Sequence, residues 1–242
     1  MDVFQIHGPV SLNGTVHISG SKNAALPIMA AAILAPGQTT ITNAPYLSDI
    51  RFFGDLLRQI GCHVTVAEGQ PTTINATVVD RPVGEYDIVR KMRASVCIMG
   101  PLLARCGRVE VSMPGGCAIG DRPIDIHLRA LRELGAEISL KNGYVVAEAP
   151  HGLTGAEIFL GGSFGSTVLG TANALMAATM ARGTTILESA ACEPEVADLA
   201  NCLNKMGAKI TGIGSPRLTI EGVTALHPVQ YTLIPDRIEA GT

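Results

Sequence analysis

The hydrophobic and polar positions of this chain follow the same order three times. Each unit opens with an apolar run that carries few charges, at residues 23–35, 92–105 and 166–181. A glycine turn and a short β-branched segment follow each run, which is typical of a strand. Because the three runs have few charges on any helical face, the pattern predicts helices that are buried on all sides.

A second helix is predicted in each unit, and it ends at a glycine. The strings at residues 57–64, 131–138 and 203–210 each begin with leucine, carry glycine at the fifth position and end on an aliphatic residue. This pattern indicates a glycine-capped helix followed by a strand. A period of about seventy residues excludes a solenoid of small repeats and suits an α/β supersecondary unit.

We therefore expect an inside-out α/β domain over residues 22–231, in which three units pack with their most apolar helices inward. Further strands are predicted at residues 143–147 and 217–220. The two ends do not follow the repeat. Residues 1–21 predict a hairpin around Asn13-Gly14, and residues 232–242 end in what resembles a helix start. Both ends are expected to belong to a second, incomplete domain.

Composition and charge exclude several classes of protein. The chain has 242 residues, of which 47% are hydrophobic and 16% charged, as in a globular protein with a sizeable core. A formal net charge of −3 gives no general attraction to nucleic acid. The apolar stretches are short for a membrane span and the N-terminus lacks a basic, apolar leader, so a cytoplasmic protein without membrane or nucleic-acid partners is expected.

The six cysteines show no spacing typical of a metal site, so no metal centre is predicted. Cys62, Cys97 and Cys202 fall in apolar helical patterns where buried free thiols are common. Cys117 differs because it lies on a glycine-rich loop with Arg122 nearby, and both the loop N–H groups and the guanidinium favour a thiolate. A small apolar side chain that fills a gap beside a turn is the alternative.

Three predicted helix starts are suited to anions. Lys22 and Asn23 precede the first apolar run, basic residues at 90–93 precede the second, and a loop of glycines and hydroxyls at 161–167 precedes the third. Cations at a helix N-terminus oppose the helix dipole, and a bound anion would explain them. Solvated lysine at the first start and simple capping by Ser163 or Ser166 at the third are the alternatives.

Six short motifs occur in order along the chain: Lys22-Asn23, Lys91 to Ser95, Pro114 to Cys117, Gly120 to Asp125, Glu193 to Glu195 and Pro235 to Glu239. Their order and approximate spacing resemble those of the UDP-N-acetylglucosamine 1-carboxyvinyltransferases, a family of enolpyruvyl transferases. The resemblance covers the whole chain. It implies a transferase that moves the enolpyruvyl group of phosphoenolpyruvate to the 3-hydroxyl of UDP-N-acetylglucosamine, the first committed step of peptidoglycan synthesis, and releases phosphate.

The resemblance also implies a fold, a set of site residues and no metal or organic cofactor. The family fold has two inside-out α/β domains, each made of three βαβαββ units. Lys22 and Arg122 would bind phosphoenolpyruvate beside Asn23. Cys117 would be a thiol on a mobile loop that acts as a general acid or assists product release, can add covalently to phosphoenolpyruvate and is the target of the epoxide fosfomycin. The residues implied to line the nucleotide-sugar pocket are Arg93, Pro123, Ile124, Asp125, Ile126, Ser163, Phe164 and Gly165.

Two departures from the family pattern bear on function. Gly161 stands where many relatives carry lysine, so one phosphate contact to the nucleotide is either missing or supplied by another residue. Family members are also longer, and the base for the sugar hydroxyl would lie beyond Thr242, so we expect the chain alone to be inactive. A fragment that only binds the UDP-sugar, the shikimate 3-phosphate enolpyruvyl transferase and, least favoured, a thiol hydrolase are the alternatives.

Overall fold

The computed structural model describes residues 3, 5, 7–9, 11, 13–90, 92–113, 124–163 and 165–242. The helices of this part are α1 Lys22–Ala31, α2 Ser48–Gln59, α3 Tyr86–Val89, α4 Met99–Cys106, α5 Asp125–Glu133, α6 Val168–Ala178, α7 Pro194–Lys205 and α8 Arg237–Gly241, with 3₁₀ turns at Ala32–Leu34 and Arg93–Ile98. The strands are β1 Gln38–Thr42, β2 His63–Thr65, β3 Thr72–Asn75, β4 Val83–Gly84, β5 Arg108–Ser112, β6 Glu137–Lys141, β7 Tyr144–Glu148, β8 Glu157–Phe159, β9 Thr184–Glu188, β10 Lys209–Thr211, β11 Arg217–Glu221 and β12 Gln230–Thr232.

The strands form three four-stranded sheets with one common topology. Their orders are β12-β1-β3-β2, β4-β5-β7-β6 and β8-β9-β11-β10. In each sheet the first two strands are parallel and the other neighbours are antiparallel. This confirms the predicted fold class of three repeated α/β units, and strands β7 and β11 confirm the strands predicted at 143–147 and 217–220.

The first unit takes its parallel strand from the far end of the chain. β12 pairs with β1 in the register Thr40 with Gln230 and Thr42 with Thr232. The other two units take theirs from β4 and β8, which directly precede them in the chain. Residues 230–232 therefore complete a sheet that begins almost two hundred residues earlier.

The glycine caps predicted in each unit are present. Gly61, Gly135 and Gly207 follow α2, α5 and α7 with φ of 107°, 96° and 105°. The next residue in each case donates its backbone N–H to the carbonyl five residues back, as in Cys62 to Leu57 at 3.0 Å. A left-handed residue followed by this bond is the Schellman motif, and glycine adopts it without a steric cost.

The apolar helices lie in the centre, as the charge-poor runs predict. Every residue of α1 from Ala24 onward and every residue of α6 from Gly170 onward is buried. Helix α1 packs against α7, and α6 packs against both α4 and α5. In the described part of the chain, no helix is long and apolar enough to cross a membrane.

The ends differ in part from expectation. The predicted hairpin is not seen among the described residues of 1–21, where Gly20 forms a single bridge with Pro235; Val10 and Leu12 lie outside the described residues. The final helix starts earlier than predicted, at Arg237, because the Asp236 carboxylate accepts hydrogen bonds from the N–H groups of residues 238 and 239. The assignment of both ends to a second domain stays a prediction.

Candidate functional site

The first predicted anion site, at the start of α1, is occupied by an ion pair. Lys22 is the first residue of α1, and its Nζ lies 2.9 Å from Oδ2 of Asp49 in the first turn of α2. Asn23 is exposed beside it. Ser21 holds the N-cap position, but its hydroxyl makes no cap bond and has no hydrogen-bond partner among the described residues. An incoming anion would therefore compete with Asp49 for the lysine.

The second start is a 3₁₀ turn that leads directly into α4. Arg93 is its first residue and is half-buried. Ser95 secures the turn, since its hydroxyl donates to the carbonyl of Met92 at 2.6 Å. Arg93 is thus held at the beginning of a buried helical segment, while Lys91 lies outside the described residues.

The third start consists of a tight loop between β8 and α6. Gly162 and Gly165 exchange two backbone hydrogen bonds, of 2.9 and 3.0 Å, and Ser163 is exposed at the tip between them. The N-cap of α6 is Thr167, whose hydroxyl accepts from the N–H of Gly170 at 3.2 Å. Thr167, and neither Ser163 nor Ser166, therefore caps α6, which argues against the capping alternative for these two serines.

Helix α5 holds the beginning of this loop in place. Nη2 of Arg129 donates to the carbonyl oxygens of Phe159 and Gly161 at 2.8 and 2.9 Å. A Cβ placed on Gly162 would lie 2.8 Å from Cδ1 of Ile126, so the side chain of Ile126 rests on the loop backbone. The structure thus brings the first turn of α5 and the Ser163 loop together.

The same first turn carries three of the predicted pocket residues. Ile124 is buried at the N-cap of α5, Asp125 is exposed and Ile126 is half-buried. Asp125 is therefore free of the core and presents its carboxylate to solvent at the helix N-terminus, where the dipole favours a negative charge. A hydroxyl or heterocyclic N–H of a ligand could donate to it.

The ring of Phe159 gives a local reason for glycine at position 161. A Cβ on Gly161 would lie 2.5 Å from the ring of Phe159, which is 61% exposed. The aromatic ring therefore occupies the space that a side chain at position 161 would need. A lysine here would have to displace that ring before it could reach a phosphate.

A buried histidine connects α5 to Arg93. His127 is 5% exposed, and its Nδ1 lies 2.9 Å from Nδ2 of Asn173 in α6. Burial lowers the pKa of His127 from 6.5 to about 4; the carboxylate of Asp125 opposes this effect and the cation of Arg93 adds to it. The imidazole is therefore neutral at pH 7, and Arg93 lies within its electrostatic reach.

The described thiols divide into buried and exposed groups. Burial raises the pKa of Cys62 to about 11 and those of Cys97 and Cys202 to about 12. These thiols stay protonated at neutral pH and are poor nucleophiles. Cys106 and Cys192 are exposed, and all five are free. Cys117 lies outside the described residues, as do Arg122, Pro123 and Phe164.

Several contacts at the site have no clear sequence signal. Asp49 belongs to no recognisable motif, and Arg129 lies within an ordinary amphipathic helix. Asn173 is the one amide in a run of small and apolar residues. Only Asn173 could have been singled out, because an amide in a helix that is buried all round needs partners. In the described part of the chain, no group of three or more metal-ligating side chains could hold a metal ion.

The sequence was compared with known families and curated proteins. The family model described as EPSP synthase (3-phosphoshikimate 1-carboxyvinyltransferase) matches residues 6–242. The chain is 54% identical over its whole length to a UDP-N-acetylglucosamine 1-carboxyvinyltransferase from Methylacidiphilum infernorum and 50% identical to one from Akkermansia muciniphila. It spans only 57% and 56% of the lengths of these two relatives.

Solved structures show the same architecture. The enolpyruvyl transferase NikO from Streptomyces tendae superposes with a TM-score of 0.82 at 26% identity, over 97% of this chain and 55% of that protein. An EPSP synthase from Acinetobacter baumannii superposes with a TM-score of 0.73 at 17% identity, over 92% of this chain and 50% of that protein. The second likeness concerns the fold alone.

Proposed function

The chain belongs to the EPSP synthase family, and on that premise we propose that it is part of an enzyme that transfers the enolpyruvyl group of phosphoenolpyruvate to UDP-N-acetylglucosamine. In this reaction the sugar 3-hydroxyl oxygen loses its proton and bonds to C2 of phosphoenolpyruvate, the bond from that carbon to the phosphate oxygen breaks, and the phosphate leaves with one proton in net balance. The names of relatives at 50% and 54% identity over the whole chain support this choice of acceptor. The reaction is the first committed step of peptidoglycan synthesis.

One geometric observation carries the proposal. The first turn of α5 and the Ser163 loop form one surface, because Arg129 binds two loop carbonyls and Ile126 rests on Gly162. This surface combines an exposed carboxylate at Asp125 with an exposed hydroxyl at Ser163. Such groups suit a sugar and a nucleobase, and Arg93 supplies a cation for the diphosphate.

The remaining roles extend the proposal to further residues of the chain. Lys22 and Arg122 bind the phosphoenolpyruvate anion beside Asn23, and Cys117 acts as a general acid or assists product release. Pro123, Ile124, Phe164 and Gly165 complete the nucleotide-sugar pocket. The proposal includes small-molecule substrates, no nucleic-acid or membrane partner and a cytoplasmic location.

The acceptor can be tested by calorimetric titration of the 242-residue chain. We expect UDP-N-acetylglucosamine to bind and shikimate 3-phosphate, the acceptor of the enzyme after which the family is named, not to bind. Arg93→Ala should lower the affinity for UDP-N-acetylglucosamine by about tenfold or more, because the loss of one charged hydrogen bond has an effect of this size. Arg81→Ala is the matched control, since Arg81 is an exposed arginine that pairs with Glu85, four residues further along the chain.

The competing outcomes separate the alternatives. Binding of shikimate 3-phosphate in preference to the UDP-sugar would assign the chain to the other reaction. Binding of the UDP-sugar without phosphate release is the result expected of this chain alone, and turnover by the chain alone would refute the expectation that it is inactive. Mass mapping after fosfomycin treatment tests Cys117 separately, with an adduct expected at that thiol and not at the exposed Cys106 or Cys192.

A further inference from the structure

A single amide in the core joins three helical segments. Asn173 is fully buried in the middle of α6. Its Oδ1 accepts from the N–H of Gly100 in α4 at 2.8 Å, and its Nδ2 donates to the carbonyl of Val96 in the 3₁₀ turn at 2.9 Å. The same Nδ2 lies 2.9 Å from Nδ1 of His127 in α5. Every polar atom of this side chain is therefore engaged.

These partners determine the orientation of the amide and the tautomer of the histidine. The N–H of Gly100 can only donate and the carbonyl of Val96 can only accept, so Oδ1 and Nδ2 of Asn173 cannot exchange places. The second hydrogen of Nδ2 then points at Nδ1 of His127, which must offer a lone pair. The imidazole proton consequently resides on Nε2.

The 3₁₀ turn and α5, which Asn173 joins to α6, carry proposed pocket residues. Val96 lies in the 3₁₀ turn that begins at Arg93, and His127 follows Asp125 and Ile126 in the first turn of α5. Asn173 itself belongs to the helix that follows the Ser163 loop. Hydrogen bonds from one side chain thus join these segments.

An apolar side chain at position 173 could fill the core and would itself need no hydrogen-bond partners. Burial of an amide is unfavourable unless its hydrogen bonds are made, and a core in which both partners of each bond are apolar is often no less stable. A polar hub among Ala, Leu and Met side chains instead favours one arrangement of its neighbours over others, because any shift of a segment breaks a directional bond.

We propose that Asn173 is a positioning residue for the nucleotide-sugar pocket, and that it acts through His127 and the backbone of Val96 and Gly100. The inference rests on the proposed function, since the ligand is UDP-N-acetylglucosamine. It assigns no contact between Asn173 and the ligand. Its effect is to hold Arg93 and the first turn of α5 at the spacing that the ligand requires.

The test compares two amides that both bond to backbone groups and lie in different parts of the domain. Asn173→Leu and Asn173→Asp remove the donor bonds, and Asn204→Leu is the matched control because Asn204 also makes two backbone bonds, to Ile210 at 2.9 and 2.8 Å, away from the pocket. Thermal melts should show a loss of stability for all three. The affinity for UDP-N-acetylglucosamine should fall about tenfold or more in the Asn173 variants and stay within about twofold in the control.

Nuclear magnetic resonance of the imidazole nitrogens provides a second readout. We expect the Nε2–H tautomer of His127 in the unsubstituted chain and in Asn204→Leu, and a mixture of tautomers in Asn173→Leu. Asn173→Asp preserves the acceptor for Gly100 and serves if the leucine variant does not fold. If a folded Asn173 variant binds UDP-N-acetylglucosamine with unchanged affinity, the positioning role of Asn173 is refuted and the proposed function stands. If the unsubstituted chain does not bind UDP-N-acetylglucosamine, the proposed function and the positioning role are both refuted.

Discussion

Acidification should destabilise this protein through His127. The imidazole is buried in the folded state with a pKa of about 4, and its ordinary value is 6.5. Between these values the unfolded chain binds a proton that the folded chain does not, so stability rises with pH across this window. The contribution is fully present above about pH 6.5 and is lost as the pH falls towards about 4.

The size of the effect follows from the difference between the two pKa values. A pKa lowered from 6.5 to about 4 corresponds to about 3 kcal/mol in total, of which about 2 kcal/mol should be lost between about pH 7 and about pH 4.5. The structural origin is specific. A proton on Nδ1 would face the Nδ2 donor of Asn173, and the charged ring would also lie near the cation of Arg93, against which Asp125 offers partial compensation.

Urea unfolding at the two pH values measures the effect directly. The matched variant is His127→Gln, whose amide oxygen can accept from Asn173 and does not titrate. The buried Asp198 changes stability in the opposite direction, because burial raises its pKa and stability from that group is lost as the pH rises. This contribution is common to both proteins and cancels in the comparison. Equal pH dependence of the two proteins would refute the assignment to His127.

Three further changes test packing and hydrogen bonding in the core. Gly100→Ala should destabilise the fold by about 1–3 kcal/mol in urea unfolding, because the new Cβ would lie 2.3 Å from the carbonyl oxygen of Asn173. This loss is expected although alanine has the better helix propensity. An unchanged free energy of unfolding would contradict the close contact between α4 and α6. Tyr231→Phe should cost about 1.5–3 kcal/mol by the same measurement, since the hydroxyl donates to the buried carboxylate of Asp198 at 2.7 Å. Thr185→Val should be neutral or raise the melting temperature, because Oγ1 of Thr185 is buried without a hydrogen-bond partner among the described residues; clear destabilisation would reveal a bound water there.

The repeated units could be predicted because their signals are local. The glycine after each amphipathic helix needs only its own turn to adopt a left-handed conformation, and a charge-poor run indicates a buried helix from composition alone. The pairing of β1 with β12 has no such signal, since it joins Thr40 to Gln230 and depends on how the whole domain closes. The predicted hairpin of residues 1–21 shows the same difficulty, because alternation predicts a strand without identifying its partner.

The candidate site follows the same division. Sequence identified Lys22, Arg93, Asp125 and the Ser163 loop because charge and glycine content at helix starts are visible in one dimension. It could not show that Lys22 pairs with Asp49, since the two residues come from different helices.

By itself the sequence determined the three α/β units, the buried helices, the family and the residue types available for anions. Tertiary structure alone decided which of these residues meet. Arg129 attaches the Ser163 loop to α5, and Asn173 joins α6 to α4, α5 and the 3₁₀ turn. The physical reason is that helix caps and apolar faces arise from neighbouring residues, whereas hydrogen bonds between segments require that the core has already brought those segments together.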